Sequence, residues 1–423
     1  MTRPQNQSSP CRGSGWLSLV VVCLVVRGSF AAPLDYEEAP IHYSQATPET
    51  AISRLQTELE SGQRQLISSG DQGYLRAVLQ ELEVPESSQM LTFLKSSMQR
   101  PLIEPQNPRA LYFGDDAYVG YVPGGILELI VPDPRLGLVF YTMEAHNGQP
   151  MIQHQVARCM TCHASSRTKR IPGLQARSMF TDPTGQPVIS AGSFRTDHSS
   201  PLEKRWGGWF VSGTHGETAH LGNMQLPDSK RPKQPVVNTH GLNVTDLSSL
   251  TDVSKHLTPH SDIVALLVFE HQIDAHNWMV RVNYAYQLGQ HQPESESSPP
   301  NWQAEADALV KHLLFIDENP LKQPVQGTSD FASEFARRGP FDSQGRSLRE
   351  FDLSTRIFKY PCSYTIHCQL FQALPAEARQ YVLGQMQTAL QTPADSPWSE
   401  SLSRYTEAER TAALAMLAEL TQP

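Results

Sequence analysis

Cysteine, charged side chains and long apolar runs are all scarce in this chain of 423 residues. Six cysteines are too few for a disulfide scaffold of this length. Charged residues make up 18%, and acidic ones outnumber basic ones by 43 to 34, so the formal net charge is −9. A chain this acidic is a poor ligand for nucleic acid. After the first 32 residues no stretch is apolar for about 18 residues, so we expect no transmembrane segment in the mature chain.

The first 32 residues have the three-part layout of an export signal. Arg3 and Arg12 precede an apolar run from Trp16 to Val26, and the small residues from Ser29 to Ala32 offer a cleavage site. The run is shorter than the roughly 20 residues that a membrane-spanning helix needs. We therefore predict a signal peptide at 1–32 and a mature protein in the periplasm or at its membrane face.

The strongest pattern is Cys159-Met160-Thr161-Cys162-His163, which matches the C-x-x-C-H motif of c-type haem attachment. Two thiols one helical turn apart are spaced to add to the two haem vinyl groups, and the adjacent imidazole becomes the proximal iron ligand. A thioredoxin-like redox pair would need a βαβ context, and a zinc site would need a second ligand pair. The motif predicts one covalent haem c held by Cys159, Cys162 and His163.

The remaining pair of cysteines, Cys362 and Cys368, does not form a second motif, because no histidine follows Cys368. Six positions apart on a helix, they would point about 240° apart, so a disulfide would require a broken helix. A disulfide and two free buried thiols both stay open. We expect a monohaem protein.

Hydrophobic periodicity predicts an α+β fold that is mainly α, with an antiparallel β-meander and a helical C-terminal half. The C-x-x-C-H motif adds a cytochrome c-like haem-binding region between them. Helices are expected at 47–67 and 72–82, the meander at 110–142, the helix of the haem motif at 151–162 and a short strand at 208–211. Five more helices are expected at 261–287, 301–314, 331–337, 375–390 and 406–420.

These elements divide the chain into five segments. They are the signal peptide 1–32, an N-terminal helical segment 33–107, the β-meander 108–145, the haem-binding cytochrome c-like region 146–245 and the helical C-terminal region 246–423. The polar, proline-rich stretch 292–300 is the most linker-like part of the sequence.

Five phrases, taken with the haem motif, carry a family resemblance. They are PRALYFGDDAYVGYVPGG from Pro108, DPRLGLVFYTME from Asp133, GSFRTDHSSPLEKRWGGWFVSGTHG from Gly192, PHSDIVALLVFEHQIDAHN from Pro259 and GRSLREFDLSTRIFKYPCSY from Gly345. From about residue 70 to the C-terminus, the chain resembles a family of large exported monohaem cytochrome c-like proteins of bacteria, which has no assigned reaction. The resemblance implies a haem and export, and no substrate. Because Leu221 stands where the family phrase has methionine, a ligand role for that methionine does not carry over.

The second axial position of the iron has four candidate ligands. His220 and His215 lie in or beside the family phrase, and Met224 follows the motif at a distance typical of single-haem carriers. His271 falls inside an apolar helical stripe, where a buried imidazole needs a partner. An open position is the remaining alternative.

Other residues are weaker candidates. Arg205, Trp206 and Trp209 could hold haem propionates through charge-assisted and indole hydrogen bonds. The acids Asp115, Asp116, Glu270 and Asp274 could form a metal or acid/base site, but nothing in the sequence brings them together.

Two main functional classes fit the sequence. An axial histidine and covalent attachment imply redox competence, which favours electron transfer with a redox partner protein of the periplasm. The alternatives are a peroxidase-like haem enzyme with an open distal site and a haem-based sensor or binding module.

Overall fold

The computed structural model describes residues 36–230, 232, 236–291, 301–392 and 397–420. The predicted signal peptide at 1–32 and the linker-like stretch at 292–300 lie outside the described residues.

A six-stranded antiparallel sheet forms the first part of the fold, with the strands in chain order. They are β1 Met90–Thr92, β2 Arg109–Phe113, β3 Tyr118–Tyr121, β4 Leu127–Asp133, β5 Gly137–His146 and β6 Gln149–His154. The predicted meander is confirmed, and β1 and β6 extend it by one strand at each edge. Aromatic and β-branched side chains fill these strands, which suits a pleated, buried surface.

The helix predicted at 151–162 is wrong in its first half. Residues up to His154 belong to β6, which pairs with β5 across a turn at Asn147 and Gly148. Both turn residues have positive φ, 51° and 75°, the conformation of a tight hairpin turn. The helix α3 therefore begins later and spans Ala157–His163.

The N-terminal helices are shorter than predicted. The first, α1, spans Ala51–Glu60 and begins with a capping box between Thr50 and Ser53, and α2 spans Leu75–Glu81. Gly62, with φ of 74°, follows the end of α1 and turns the chain away from the helical path.

The C-terminal half is helical, as predicted. Its helices are α4 Ile263–His291, α5 Trp302–Leu313, α6 Phe331–Arg337, α7 Gln369–Gln372, α8 Ala376–Gln391, α9 Ser399–Leu402 and α10 Glu407–Leu420. The long helix α4 is buried on nearly all sides, including polar residues such as Gln272 and Asn277. A helix buried all round lies at the centre of its domain, and its polar side chains must find partners there.

Between sheet and helices the chain is rich in loops. It contains a hairpin of β7 Ala176–Met179 with β8 Ser193–Thr196, and a two-residue pairing of β9 Gly213–Thr214 with β10 Gln326–Gly327. The strand predicted at 208–211 is wrong. Only one isolated bridge forms there, between Trp209 and Thr92, because Gly208 at φ of 83° breaks the extended backbone.

One hydrophobic core joins these parts. Phe113 of β2 packs against Phe269 of α4 with ring centroids 5.6 Å apart, and the Tyr284 hydroxyl of α4 donates to the Leu136 carbonyl oxygen beside β5. The sheet, the loop-rich segment and the helices thus bury a common interior. No described helix has both the length and the apolar character needed to cross a membrane.

Candidate functional site

The haem motif lies on the single short helix α3, directly after β6. Cys159 and Cys162 are three positions apart and therefore share one helix face. Cys159 is half-buried, Cys162 is exposed, and both thiols are free. Burial raises the pKa of Cys159 to about 11. A redox-active pair would need a lowered thiol pKa, so this environment does not suit thioredoxin-like chemistry.

His163 has a defined tautomer and orientation. Its Nδ1 lies 2.7 Å from the carbonyl oxygen of Gly173, which can only accept, so Nδ1 carries the proton. Burial lowers the pKa of His163, which keeps the imidazole neutral. The lone pair on Nε2 is then available, and a histidine held by a carbonyl through its other nitrogen is the usual arrangement of a metal ligand.

The loop that supplies this carbonyl is held by α4. The side-chain amide of Asn277 accepts from the backbone nitrogen of Leu174 at 2.9 Å and donates to its carbonyl oxygen at 2.7 Å. A Cβ atom on Gly173 would lie 2.4 Å from Asn277 Oδ1, so only glycine fits here. Thr168 Oγ1 also donates to the carbonyl oxygen of His163, at 2.9 Å. The orientation of His163 therefore depends on a residue of α4 far along the chain.

A cavity lies between α3 and the sheet and contains all three motif side chains. Its apolar wall comes from the sheet and the adjoining loops, with Leu94, Leu111, Leu129, Ile130, Phe140 and Trp209. The ring centroids of Phe140 and His163 are 4.7 Å apart. The exposed residues Cys162 and Arg158 mark the side where the cavity meets solvent.

Four arginines line the same cavity: Arg109, Arg158, Arg167 and Arg177. Arg109 forms an ion pair with Glu128, and no described acidic side chain lies within ion-pair distance of the other three. In a chain of net charge −9, this local excess of guanidinium groups favours an anionic ligand.

Met98 is a cavity residue that the sequence reasoning missed. Apart from His163, it is the only histidine or methionine among the described residues that line the cavity. Ser97 Oγ donates to a Glu128 carboxylate oxygen at 2.7 Å, and Gln99 Nε2 donates to the Ile126 carbonyl oxygen at 3.0 Å. Both neighbours of Met98 are thus fixed to the sheet. Met98 precedes the motif, and no spacing pattern in the sequence points to it.

The four distal-ligand candidates from the sequence lie outside the described lining of this cavity. His215 and His220 pack together with ring centroids 4.7 Å apart, and His220 Nδ1 accepts from the Gly222 backbone nitrogen. Met224 packs against a small separate apolar cluster, and His271 is buried in α4. Their ligand role stays a prediction.

The suggested propionate-binding group is separated in the structure. Arg205 forms a buried ion pair with Glu270 at 2.9 Å, and Trp206 is buried without lining the cavity. Trp209 does line the cavity, and its indole donates to the Arg177 carbonyl oxygen at 2.8 Å. The arginine side chains that line the cavity are different ones from the arginine that the sequence suggested.

The other predicted groups are also dispersed. Asp115 pairs with Arg349 at 2.5 Å, whereas Asp274 pairs with Lys169 at 3.2 Å. Cys362 and Cys368 are buried free thiols, so the disulfide alternative is wrong.

A second histidine centre lies deeper in the molecule. His198, His271 and His312 are each buried and stack with nearly parallel rings, at centroid distances of 4.1 to 5.0 Å. The sequence singled out only His271, because the three come from the loop after β8, from α4 and from α5. We call this cluster the histidine triad.

Comparison with known proteins adds nothing to this geometry, since the chain matches no protein-family model, no curated protein and no solved structure.

Proposed function

We propose that this protein is an exported c-type cytochrome that carries one covalently attached haem and transfers electrons. The observation that supports it best is the geometry of His163. Its Nδ1–H is held by the Gly173 carbonyl, its Nε2 is left with a lone pair, and Cys159 and Cys162 line the same cavity. This donor set fits a haem attached through two thioethers and an imidazole.

Different side chains of the cavity would hold different parts of the haem. The thiols of Cys159 and Cys162 would form the thioether bonds, and Nε2 of His163 would ligate the iron. The apolar wall around Phe140 would exclude water from the haem, and the half-buried Arg177 would bind a propionate. When bound, the haem supplies a one-electron couple.

For the second axial ligand we propose Met98, because it lines the cavity and both its neighbours are hydrogen-bonded to the sheet. A methionine thioether gives a higher reduction potential than a second histidine and blocks the binding of small molecules. With Met98 as a ligand, the protein would act as an electron carrier and not as a peroxidase-like enzyme or a sensor with an open position.

The proposed location is the periplasm or its membrane face, with a redox partner protein of that compartment. Electron exchange would take place at the side of the cavity marked by Cys162 and Arg158, where the motif meets solvent. The exposed Arg158 and Arg167 there favour a partner with an acidic docking surface.

Absorption spectra of the purified protein, oxidised and reduced, test the proposal. We expect a covalent haem that survives denaturation and a low-spin, six-coordinate spectrum in both states. A wild-type protein without covalent haem would contradict the assignment as a cytochrome. A high-spin spectrum with ready binding of cyanide or peroxide would instead support the peroxidase-like enzyme.

The ligand is tested by comparing Met98→Ala with Met224→Ala, since Met224 lies outside the cavity lining. Met98→Ala should convert the oxidised haem to high spin, and Met224→Ala should keep the wild-type spectrum. The same measurement on His215→Ala, His220→Ala and His271→Ala covers the other sequence candidates. Conversion by any of these, with Met98→Ala unchanged, would rule out Met98.

A further inference from the structure

The histidine triad brings three distant segments together in the interior. His198 is 2% exposed, His271 0% and His312 7%. One ring nitrogen from each lies within 4.8 Å of those from the other two. Each neutral imidazole has one N–H donor and one nitrogen lone pair, and when buried both are normally hydrogen-bonded or bound to a metal.

The lone pair of His312 lies on Nδ1 and faces another acceptor, the Asp274 carboxylate. Its Nε2 lies 3.0 Å from the carbonyl oxygen of His271, so Nε2 carries the proton in the neutral ring. The other nitrogen, Nδ1, is 3.8 Å from a carboxylate oxygen of Asp274. Two acceptors thus face each other without a hydrogen between them, and the Lys169 and Arg195 side chains that bind Asp274 offset their repulsion. The Nδ1 lone pair of His312 has no donor among the described residues.

His198 and His271 share a single proton between their Nδ1 atoms, which are 2.8 Å apart. On its other side His271 Nε2 bonds the hydroxyl of Ser363 at 2.7 Å. Of the four ring nitrogens in this pair, His198 Nε2 is the one without a hydrogen bond to another described residue.

The surroundings keep the three rings neutral. Burial and the neighbouring imidazoles lower the pKa of His198 and of His271, and burial lowers that of His312. Asp274 also binds Lys169 and Arg195 at the edge of the cluster. Neutral imidazole is the form that ligates metals.

We propose that His198, His271 and His312 form a binding site for one divalent first-row transition metal ion, with Zn²⁺ as the ion that fits best. Three imidazoles suit zinc, and Asp274 or water would complete a tetrahedral set. Zn–N bonds of about 2.0–2.1 Å put ligand nitrogens about 3.3 Å apart, between the 2.8 Å pair and the 4.8 Å limit observed here. Because the ring planes are within 14° of parallel, coordination requires the rings to turn.

Such an ion would join the loop after β8 to α4 and α5, independently of the haem. The site differs from the haem cavity, since none of its three histidines is among the residues lining that cavity. The Asp274 carboxylate connects the triad to the loop after the C-x-x-C-H motif, because it also binds Lys169 of that loop.

The experiment is metal analysis of the full-length protein after chelation and dialysis against Zn²⁺. Haem is measured separately, so that iron in excess of haem is also counted. We expect one zinc ion per chain. His198→Gln and His312→Gln should each weaken zinc binding at least 10-fold, whereas His256→Gln, at a buried histidine outside the triad, should not.

Two further measurements distinguish the triad from the cysteine motif as the zinc site. The double variant Cys159→Ala/Cys162→Ala should keep its zinc. Loss of zinc there, with retention in His312→Gln, would assign the metal to the haem motif and overturn the proposal, as would wild-type protein holding less than a tenth of an ion. If the histidine variants do not fold, the absorption of the Co²⁺-loaded Cys159→Ala/Cys162→Ala variant decides, because this variant should lack covalent haem and the two thiol ligands. Intense tetrahedral bands support the triad, and weak octahedral bands contradict it.

Discussion

The two histidine centres differ in how the chain assembles them. In the haem motif, Cys159, Cys162 and His163 come from one helical turn at the edge of a cavity. In the histidine triad the members are 73 and 41 residues apart along the chain, and all are buried. A local constellation can be predicted from spacing, whereas one assembled by tertiary packing cannot.

Helix α4 supports both centres. Asn277 holds the loop that orients His163, while His271 belongs to the triad. Between them, Asp274 binds Lys169 of the loop after α3 and faces His312 of the triad. The two centres share a rigid, buried support, but their ligands come from different segments.

The largest effect is expected on covalent haem at the Cys159-Cys162-His163 motif, whose residues are adjacent in sequence. If haem is attached as proposed, replacing Cys159 and Cys162 together by alanine should remove more than about nine-tenths of the covalently bound haem, because both thioether bonds would be lost. Haem staining after denaturing electrophoresis measures it. Cys362→Ala is the matched control, since that thiol is buried away from the cavity and should leave staining unchanged. Staining that survives in the double variant would contradict covalent attachment at this motif.

Regular elements were predictable where the hydrophobic pattern is long. The helices at 261–287 and 301–314 lie within a few residues of α4 and α5, and the meander matches β2 to β5. The hairpin at Asn147-Gly148 carried its own turn signal, yet the apolar residues beyond it suggested a helix. That ambiguity of short apolar runs explains the error at β6.

The site was predictable only in its contiguous part. Two of the cavity arginines are neighbours of the motif along the chain, Arg158 and Arg167. Met98 and Arg109, by contrast, line the same cavity as His163 because the sheet and the loop after β1 pack near α3, and no sequence period encodes that approach. The same holds for Asn277, whose amide replaces the backbone partners of Leu174 from across the core. Residues that act through packing at long separation become visible only in the folded chain.

The second largest effect is expected on stability, at the contact between Asn277 of α4 and Leu174 in the loop after α3. Asn277→Ala should lower the free energy of unfolding by about 3 kcal/mol, because it leaves two buried backbone groups of Leu174 without partners. Chemical denaturation measures this loss. Hydrogen exchange in the 164–175 segment should also accelerate, since the loop loses its attachment.

The control for this variant is Asn283→Ala. Asn283 lies on the same helix and donates to the Pro134 carbonyl oxygen at 3.0 Å, away from the loop after α3. It should destabilise the chain without changing exchange at 164–175. Equal exchange in both variants would mean that α4 does not hold the loop in place.

The smallest effect is expected on the pH dependence of stability, at a buried histidine outside both centres. Burial lowers the pKa of His256 to about 4. The unfolded chain, with a histidine pKa near 6.5, binds the proton first as the pH falls, so stability is full above pH 6.5 and is lost toward pH 4. At pH 5 the free energy of unfolding is about 2 kcal/mol lower than at pH 8 because of His256.

His256→Gln should reduce the difference in unfolding free energy between pH 8 and pH 5 by that amount, whatever its effect at pH 8. His146→Gln, at an exposed position at the end of β5, should leave the difference as it is. If both variants keep the wild-type pH dependence, His256 is hydrated in solution, and acid sensitivity must come from other buried histidines, among them His276 and His367, whose pKa values burial lowers to about 4.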